Sequence, residues 1–413
     1  MHARTATTDM APPAVPATAR QGWRTLAVLA ALMGFGSIST DLYLPAMPAM
    51  GSALGASAGA IEWTISGYLI GFSLGQLLWG PLSDRFGRWL PVAAGLILFV
   101  IGSAGCALAG SVPAMIGWRV VQALGACAGV VLARAMVRDL YAGARAAQMM
   151  STLMTVMAIA PLLGPLVGGQ ILVVSGWRTI FWVLVVVGLA TLAALFTIPE
   201  TLPADRRRNE PLWWALLGYG SLLRDPAILA YIGAGGFFYG GMFAFIAGSP
   251  FAYVTYHHVS PQAYGLLFAL SIAGIMGANL VNARLVGRFG ADRLLRWGTL
   301  AAAAAGLVLA LTARMGWGGL WGLVLPLFAF ASATGFIVAN SIASALGRRP
   351  DRAGAVSALV GAAQYGAGIA SSALVGAFAN GTPWPMAWVI AAAGVGSALS
   401  GWAVSRHSSG ISV

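Results

Sequence analysis

The sequence predicts an all-α polytopic membrane protein, with twelve transmembrane helices in two pseudo-symmetric six-helix bundles. Three observations predict it. Of 413 residues, 59% are hydrophobic and only 8% are charged, whereas a soluble domain carries about 25% charged residues. Twelve apolar runs each approach the roughly 20 residues that a helix needs to cross a bilayer, and they are too long for barrel strands of about 10 alternating residues. A short motif also recurs at the same place in each half: LSDRFG (82–87) follows the second run and LVGRFG (285–290) follows the eighth.

The segment before the first run, residues 1–22, is rich in Ala, Thr and Pro and reads as a disordered cytoplasmic tail. No small-residue cleavage site follows a short apolar core, so the first run is kept as a span. The runs are 24–47, 61–81, 89–109, 113–134, 150–173 and 178–198, then 227–250, 263–283, 294–313, 319–344, 354–378 and 384–404. The division is a first bundle over 23–199, a cytoplasmic loop over 200–226, a second bundle over 227–405 and a tail over 406–413. Within the central loop, PLWWALLGYGSLL (211–223) reads either as a short amphipathic segment along the interface or as a partly buried loop.

Arginine placement orients the spans. All 23 basic residues are arginine, and with the N-terminus inside, 20 fall in inner loops and tails. Only Arg178 and Arg314 lie in outer loops, and Arg119 lies within a span. Both termini are therefore expected in the cytoplasm. The net charge of +12 is dispersed with no long basic run, so nucleic acid is not an expected partner. The two cysteines, Cys106 and Cys127, lie in apolar runs with no metal-ligand spacing.

The first run ends in STDLYLPAMP, and its Asp41 is one of only 11 acids. Eight of the others fall on inner loops and one in the tail, leaving Asp41 and Glu62 near the outer half of the first hairpin. An ionisable group in a span costs about 2.5–3.5 kcal/mol on insertion scales and is normally kept for a pathway or relay. Burial favours its neutral form and a nearby cation its charged form, so such a group can take and release a proton as its access changes. Pro45 and Pro48 break the helix end beside Asp41. Glu62, in GAIEWT, is open to a second reading as a first-turn acid favoured by the helix dipole.

Between the second and third runs stands GPLSDRFGRW, with Gly80, Asp84, Arg85, Gly87 and Arg88. Asp84 is expected just past a helix C-terminus beside Arg85 and Arg88, where its own dipole disfavours it, so it needs a cation or another helix's N-terminus and makes a latch candidate between two helices. In the fourth run, GWRVVQALG places Arg119 and Gln122 three apart on one helix face. In the fifth, APLLGPLVGG places Gly164 and Gly168 four apart for close packing, while Pro161 and Pro165 remove backbone donors and bend the helix.

GPLSDRFGRW closely resembles the loop signature between helices 2 and 3 of the major facilitator superfamily. Arg119, Gln122 and Gly125 match its helix 4 signature. APLLGPLVGG is similar to the helix 5 signature of its twelve-helix drug/proton antiporters. STDLYLPAMP, ARAMVRDLY and GWRTIF resemble the Bcr/CflA drug-resistance branch, and the likeness spans about residues 24–404. The resemblance implies that Asp41 couples proton and substrate, that Arg119 assists, that Asp84 and Arg88 form a cytoplasmic gate, and that Gly164, Pro165 and Gly168 form an antiporter hinge. Three positions depart from the pattern. Met33 stands where some relatives carry a second acid, Trp89 replaces a basic residue, and Glu62 is an unexpected acid, a substitute coupling candidate.

Candidate cavity side chains are Met33, Tyr43, Tyr68, Gln122, Phe237, Phe238, Tyr239, Met242, Asn279, Asn340, Gln364 and Tyr365. Methionines add adaptable contacts, and an apolar cavity with one acid suits uncharged or cationic lipophilic compounds. The expected function is multidrug efflux across a bacterial inner membrane, by alternating-access antiport of drug and proton, conferring antibiotic resistance. An exporter of a physiological metabolite, such as an amino acid or short peptide, stays open on the same scaffold. The expected partners are a small-molecule drug, the proton and the lipid bilayer, with the chain a monomer. No embedded His/Asp/Glu cluster supports an enzyme, and no glycine-rich phosphate loop supports ATP hydrolysis. No cofactor or metal is expected; the proton gradient is the energy source.

Overall fold

The computed structural model describes residues 19–141, 143–207, 222–349 and 353–408. Regular structure within them is helical. The first half comprises α1 (Ala19–Asp41), α2 (Met47–Ala53), α3 (Ala58–Phe86), α4 (Trp89–Leu108), α5 (Val112–Leu140), α6 (Gly143–Ser175) and α7 (Trp177–Leu195). The second comprises α8 (Pro226–Pro250), α9 (Pro261–Phe289), α10 (Ala291–Met315), α11 (Trp321–Ser332), α12 (Thr334–Arg348), α13 (Ala353–Ala377) and α14 (Trp384–Ser408). The short α2 is not a span, and α11 with α12 makes one span broken at Ala333, so each half supplies six. Ten spans among the described residues are apolar enough to cross a membrane by composition alone. The other two, α3 and α13, meet each other where the halves join.

The repeat seen in sequence has a structural form. Helices α3 and α9 are each 29 residues long. Each starts at a serine whose hydroxyl accepts a backbone N–H three residues on, Ser57 from Ala60 and Ser260 from Ala263. Each ends at a glycine in the left-handed region, Gly87 at φ +87° and Gly290 at φ +79°, where a β-carbon would be strained.

Boundaries differ from the sequence reading in two ways. The first span stops at Asp41 rather than at 47, because Pro45 enters a 3₁₀ turn (Leu44–Ala46) and Pro48 then opens α2. Several helices also run past their apolar stretch at the arginine-rich end. Asp84 therefore lies in the last turn of α3, not beyond it, and Asp139 lies in the last turn of α5, not on a loop. Of the expected interfacial segment 211–223, all but Leu222 and Leu223 lie outside the described residues, as do 1–18 of the expected tail 1–22 and 409–413 of the expected tail 406–413; residues 19–22 instead open α1, and 406–408 end α14.

The halves touch along α3 with α13 and along α6 with α9. The closest approaches lie at the arginine-poor end. A β-carbon at Gly59 would overlap the Gly376 carbonyl, and one at Gly265 would come within 2.9 Å of the Pro165 carbonyl. The Ser66 and Ser372 hydroxyls, 2.8 Å apart, make the one hydrogen bond between the halves among the described residues. A core of apolar side chains fills each half, and one of the largest fully buried side chains in it is an arginine, Arg119.

Candidate functional site: a central cavity and a charged gate

A cavity of about 250 Å³ lies between the halves. Met33, Thr40 and Asp41 of α1, Tyr68 and Phe72 of α3, and Met157 and Pro161 of α6 line one wall. Tyr239, Met242 and Phe243 of α8, Phe268 of α9, Thr334 of α12 and Tyr365 of α13 line the other. Ring contacts run across both walls: Tyr68 to Phe72 at 6.1 Å, Phe72 to Tyr365 at 5.2 Å, Tyr365 to Phe243 at 6.1 Å and Phe243 to Tyr239 at 6.1 Å. Asp41 is the one ionisable carboxylate among the lining side chains, and it is 5% exposed.

Asp41 is placed by backbone contacts. It is the last residue of α1, and α6 lies against it through Gly164 and Gly168, two of the three glycines of APLLGPLVGG. A β-carbon at Gly164 would stand 2.9 Å from the Asp41 β-carbon, and one at Gly168 would overlap the Leu42 carbonyl oxygen. The motif read as a hinge is therefore also the seat of the acid. Pro165 lies in the same continuous helix, with its carbonyl facing Gly265 of the other half.

Beside Asp41 stands Arg119, fully buried. Its Nη1 donates to the Ser39 carbonyl at 2.8 Å and to Gln122 Oε1 at 2.6 Å. Gln122 Nε2 donates in turn to Ser103 Oγ at 2.8 Å. The guanidinium lies between two rings, 4.2 Å from the Tyr43 centroid and 4.3 Å from the Tyr68 centroid, in cation–π contact with both. No carboxylate pairs with it within 4.0 Å among the described residues, and its Nε and Nη2 have no hydrogen-bond partner there. Ser39 is among the last residues of α1, whose terminal carbonyls lack helical partners. Arg119 satisfies one of them and places a positive charge at the negative end of that helix. Tyr68 completes the corner, its hydroxyl 2.6 Å from Ser39 Oγ and donating to the Gly36 carbonyl at 3.1 Å.

The remaining sequence candidates separate by position. Met33, Tyr68, Tyr239, Met242 and Tyr365 line the cavity. Tyr43 and Gln122 do not; they hold Arg119. Phe237 is 50% exposed and Phe238 stacks on Phe330 at 5.0 Å, because neighbours on a helix point to different faces. Asn279 is exposed on α9, and Asn340 is spent on Asn282, 2.7 Å away. Gln364 is buried among second-half helices near Gly235 and Ser341. Glu62 is buried in the second turn of α3 rather than the first, and it lines a separate small cavity at the arginine-poor end.

At the arginine-rich end, Arg88 gathers a charged cluster. It donates from Nη1 to Asp84 and Ser83, both at 2.6 Å, and from Nε to Asp139 at 2.8 Å. Burial opposes its charge, but hydrogen bonds to Asp139 and Asp84 outweigh that and hold its pKa above the ordinary value. Arg85 sits over the Phe86 ring at 5.5 Å, and Gly80 has open space around it. Glu200 accepts the backbone N–H groups of Arg88 at 2.9 Å and Trp89 at 3.1 Å, which caps the start of α4. Burial raises the Glu200 pKa, but backbone donors at Leu202, Arg88, Trp89 and Thr201 reverse this and hold it below the ordinary value. Asp139 and Glu200 read in sequence only as loop acids; the signal available was the scarcity of acids itself.

The chain matches the Major Facilitator Superfamily over residues 25–372. It is 35% identical over 355 residues to the uncharacterized MFS-type transporter YdgK of Bacillus subtilis, covering 84% of this chain and 88% of that protein. It is 32% identical over 379 residues to the bicyclomycin resistance protein homolog of Haemophilus influenzae, covering 91% and 94%. The structure of the nucleoside transporter NupG superposes with a TM-score of 0.75 at 15% identity, covering 92% of this chain and 99% of that one. At that identity the superposition speaks for the fold alone. Twelve spans in two halves, the central cavity and these matches together establish that the chain belongs to the major facilitator superfamily, as a multi-pass membrane transporter and not an enzyme.

Proposed function

We propose that the protein exports lipophilic drugs from a bacterial cytoplasm in exchange for protons, with its arginine-rich end and both termini inside. The observation that carries this reading is a single buried acid, Asp41, in an aromatic and methionine-lined cavity between the two halves. Such a wall receives apolar compounds of varied shape, and the acid supplies one charged point that drug and proton compete for. The name of the Haemophilus relative, a bicyclomycin resistance protein homolog, and the helix 5 motif support export over import.

The proposed cycle has four steps. With the arginine-poor end closed, Asp41 gives up its proton toward the inside and drug enters. The halves then rock, drug leaves on the far side, and Asp41 takes a proton there. Arg119 keeps the end of α1 in place through both states.

The test is drug transport in inside-out vesicles containing the full chain, with an imposed proton gradient and a panel of amphenicols, sulfonamides and lipophilic cations. Gradient-dependent accumulation of several unrelated compounds is expected. No accumulation of any of them by folded protein would overturn the drug reading and favour a metabolite exporter, sought next in cell extracts.

A further inference from the structure

Glu62 takes no part in the central cavity, yet it is 3% exposed. It lies on the face of α3 that meets α13. One turn before it, Gly59 abuts Gly376; one turn after it, Ser66 bonds Ser372. Glu62 is therefore clamped within the tightest junction of the two halves.

It lines a cavity of about 50 Å³. Apart from Ala58 on its own helix, the wall comes from the second half: Gly248 of α8, Phe251 and Thr255 just after it, Val375 of α13, Asn380 and Thr382 of the following loop, and Met386 of α14. None of the lining side chains other than Glu62 is charged or titratable. His257 and His258 follow Thr255 closely in sequence but do not line the cavity, nor do Tyr253 and Tyr256. Glu62 Oε2 has no hydrogen-bond partner among the described residues. Once ionised, the carboxylate would hold charge on a buried oxygen with no cation or hydrogen-bond donor on it among the described residues, and the neutral acid is the form that fits.

We propose that Glu62 is a second proton site, which locks the arginine-poor end shut when protonated and releases it when charged. Separation of α3 from α13 would bring the carboxylate to water, where its charge is solvated. The proton is a gating proton: it arrives from and returns to the arginine-poor side, because closure shuts Glu62 off from the other. This inference assumes the alternating motion of the proposed function, but it needs neither a drug nor a coupling role for Asp41.

The test places spin labels at Ser52→Cys and Met315→Cys, exposed positions on the two halves at this end, in full-length protein in lipid nanodiscs with Cys106 and Cys127 replaced by alanine. Distance distributions are measured from pH 5 to pH 9. A short distance at low pH that gives way to a longer one in a single-proton transition is expected. Glu62→Gln should hold the short distance at every pH, and Glu62→Met provides a second neutral variant should the amide not fold. Asp41→Asn should keep the transition. A transition unchanged in folded Glu62→Gln or Glu62→Met, or no transition with Glu62 present, overturns the proposal. A transition lost only in Asp41→Asn overturns it too, while leaving the coupling role of Asp41 standing.

Discussion

At the scale of the residue, the proposed site includes a buried arginine, Arg119, that has no carboxylate partner among the described residues. A buried guanidinium without an ion pair is expensive, and here two tyrosine faces, a helix-terminal carbonyl and Gln122 share the load. Lysine would keep the charge and lose the planar fork and its stacking. Arg119→Lys should therefore reduce gradient-driven transport about tenfold or more and also lower the unfolding temperature in detergent. Transport at the wild-type rate in Arg119→Lys would show that charge alone suffices. Asp41 was legible in sequence because acids are so few that each can be placed in turn. The Arg119 cage was legible only at Gln122, three residues on along the same helix. Tyr43, Tyr68 and Ser39 come from outside that helix, and no spacing rule links them. Phe237 and Phe238 show the opposite failure: an aromatic cluster in sequence spreads over the helix surface, and its members do not share a wall.

At the scale of the element, the contact of α6 with the end of α1 sets the position of Asp41. Gly168→Ala would drive a methyl group into the Leu42 carbonyl, a backbone atom that cannot rotate away. Overpacking of this kind costs about 1–3 kcal/mol. Gly168→Ala should lose most transport and lower the unfolding temperature, and Gly164→Ala, which meets a side-chain carbon at 2.9 Å, should do less. Equal effects would contradict this account of the contact. The start of α4 gives a pH prediction. The Glu200 pKa is depressed in the folded protein, so its contribution is complete above the ordinary value of 4.5 and is lost as pH falls through the lower folded value. Below about pH 4.5 the wild-type unfolding temperature should fall toward that of Glu200→Gln, whose own curve lacks this component. Parallel curves for the two proteins would contradict the capping role. The glycine and proline spacing of α6 was visible in sequence, but its partner, the end of α1, was not, since a small-residue face does not say which helix it meets.

At the scale of the whole molecule, the halves are joined most tightly at one end, and the cavity lies deeper between them. The repeat of LSDRFG and LVGRFG, the twelve apolar runs and the arginine pattern made the two-half plan legible. The exact ends of the spans were not, because helices extend past their apolar stretches wherever charged residues find partners, as Asp84 and Asp139 do on Arg88. Ser66 and Ser372 offer a lock. With cysteines at both positions, whose present hydroxyls are 2.8 Å apart, oxidation should stop transport and reduction should restore it. Undiminished transport in fully cross-linked protein would mean that this end does not open. In the proposed cycle, drug and proton compete for Asp41. The most direct test is proton release when a lipophilic cation is added to purified protein in weakly buffered detergent, with Asp41→Asn beside it. The account predicts release in proportion to drug bound by the wild type, and none from Asp41→Asn. Release of equal size from the Asp41→Asn protein would contradict it.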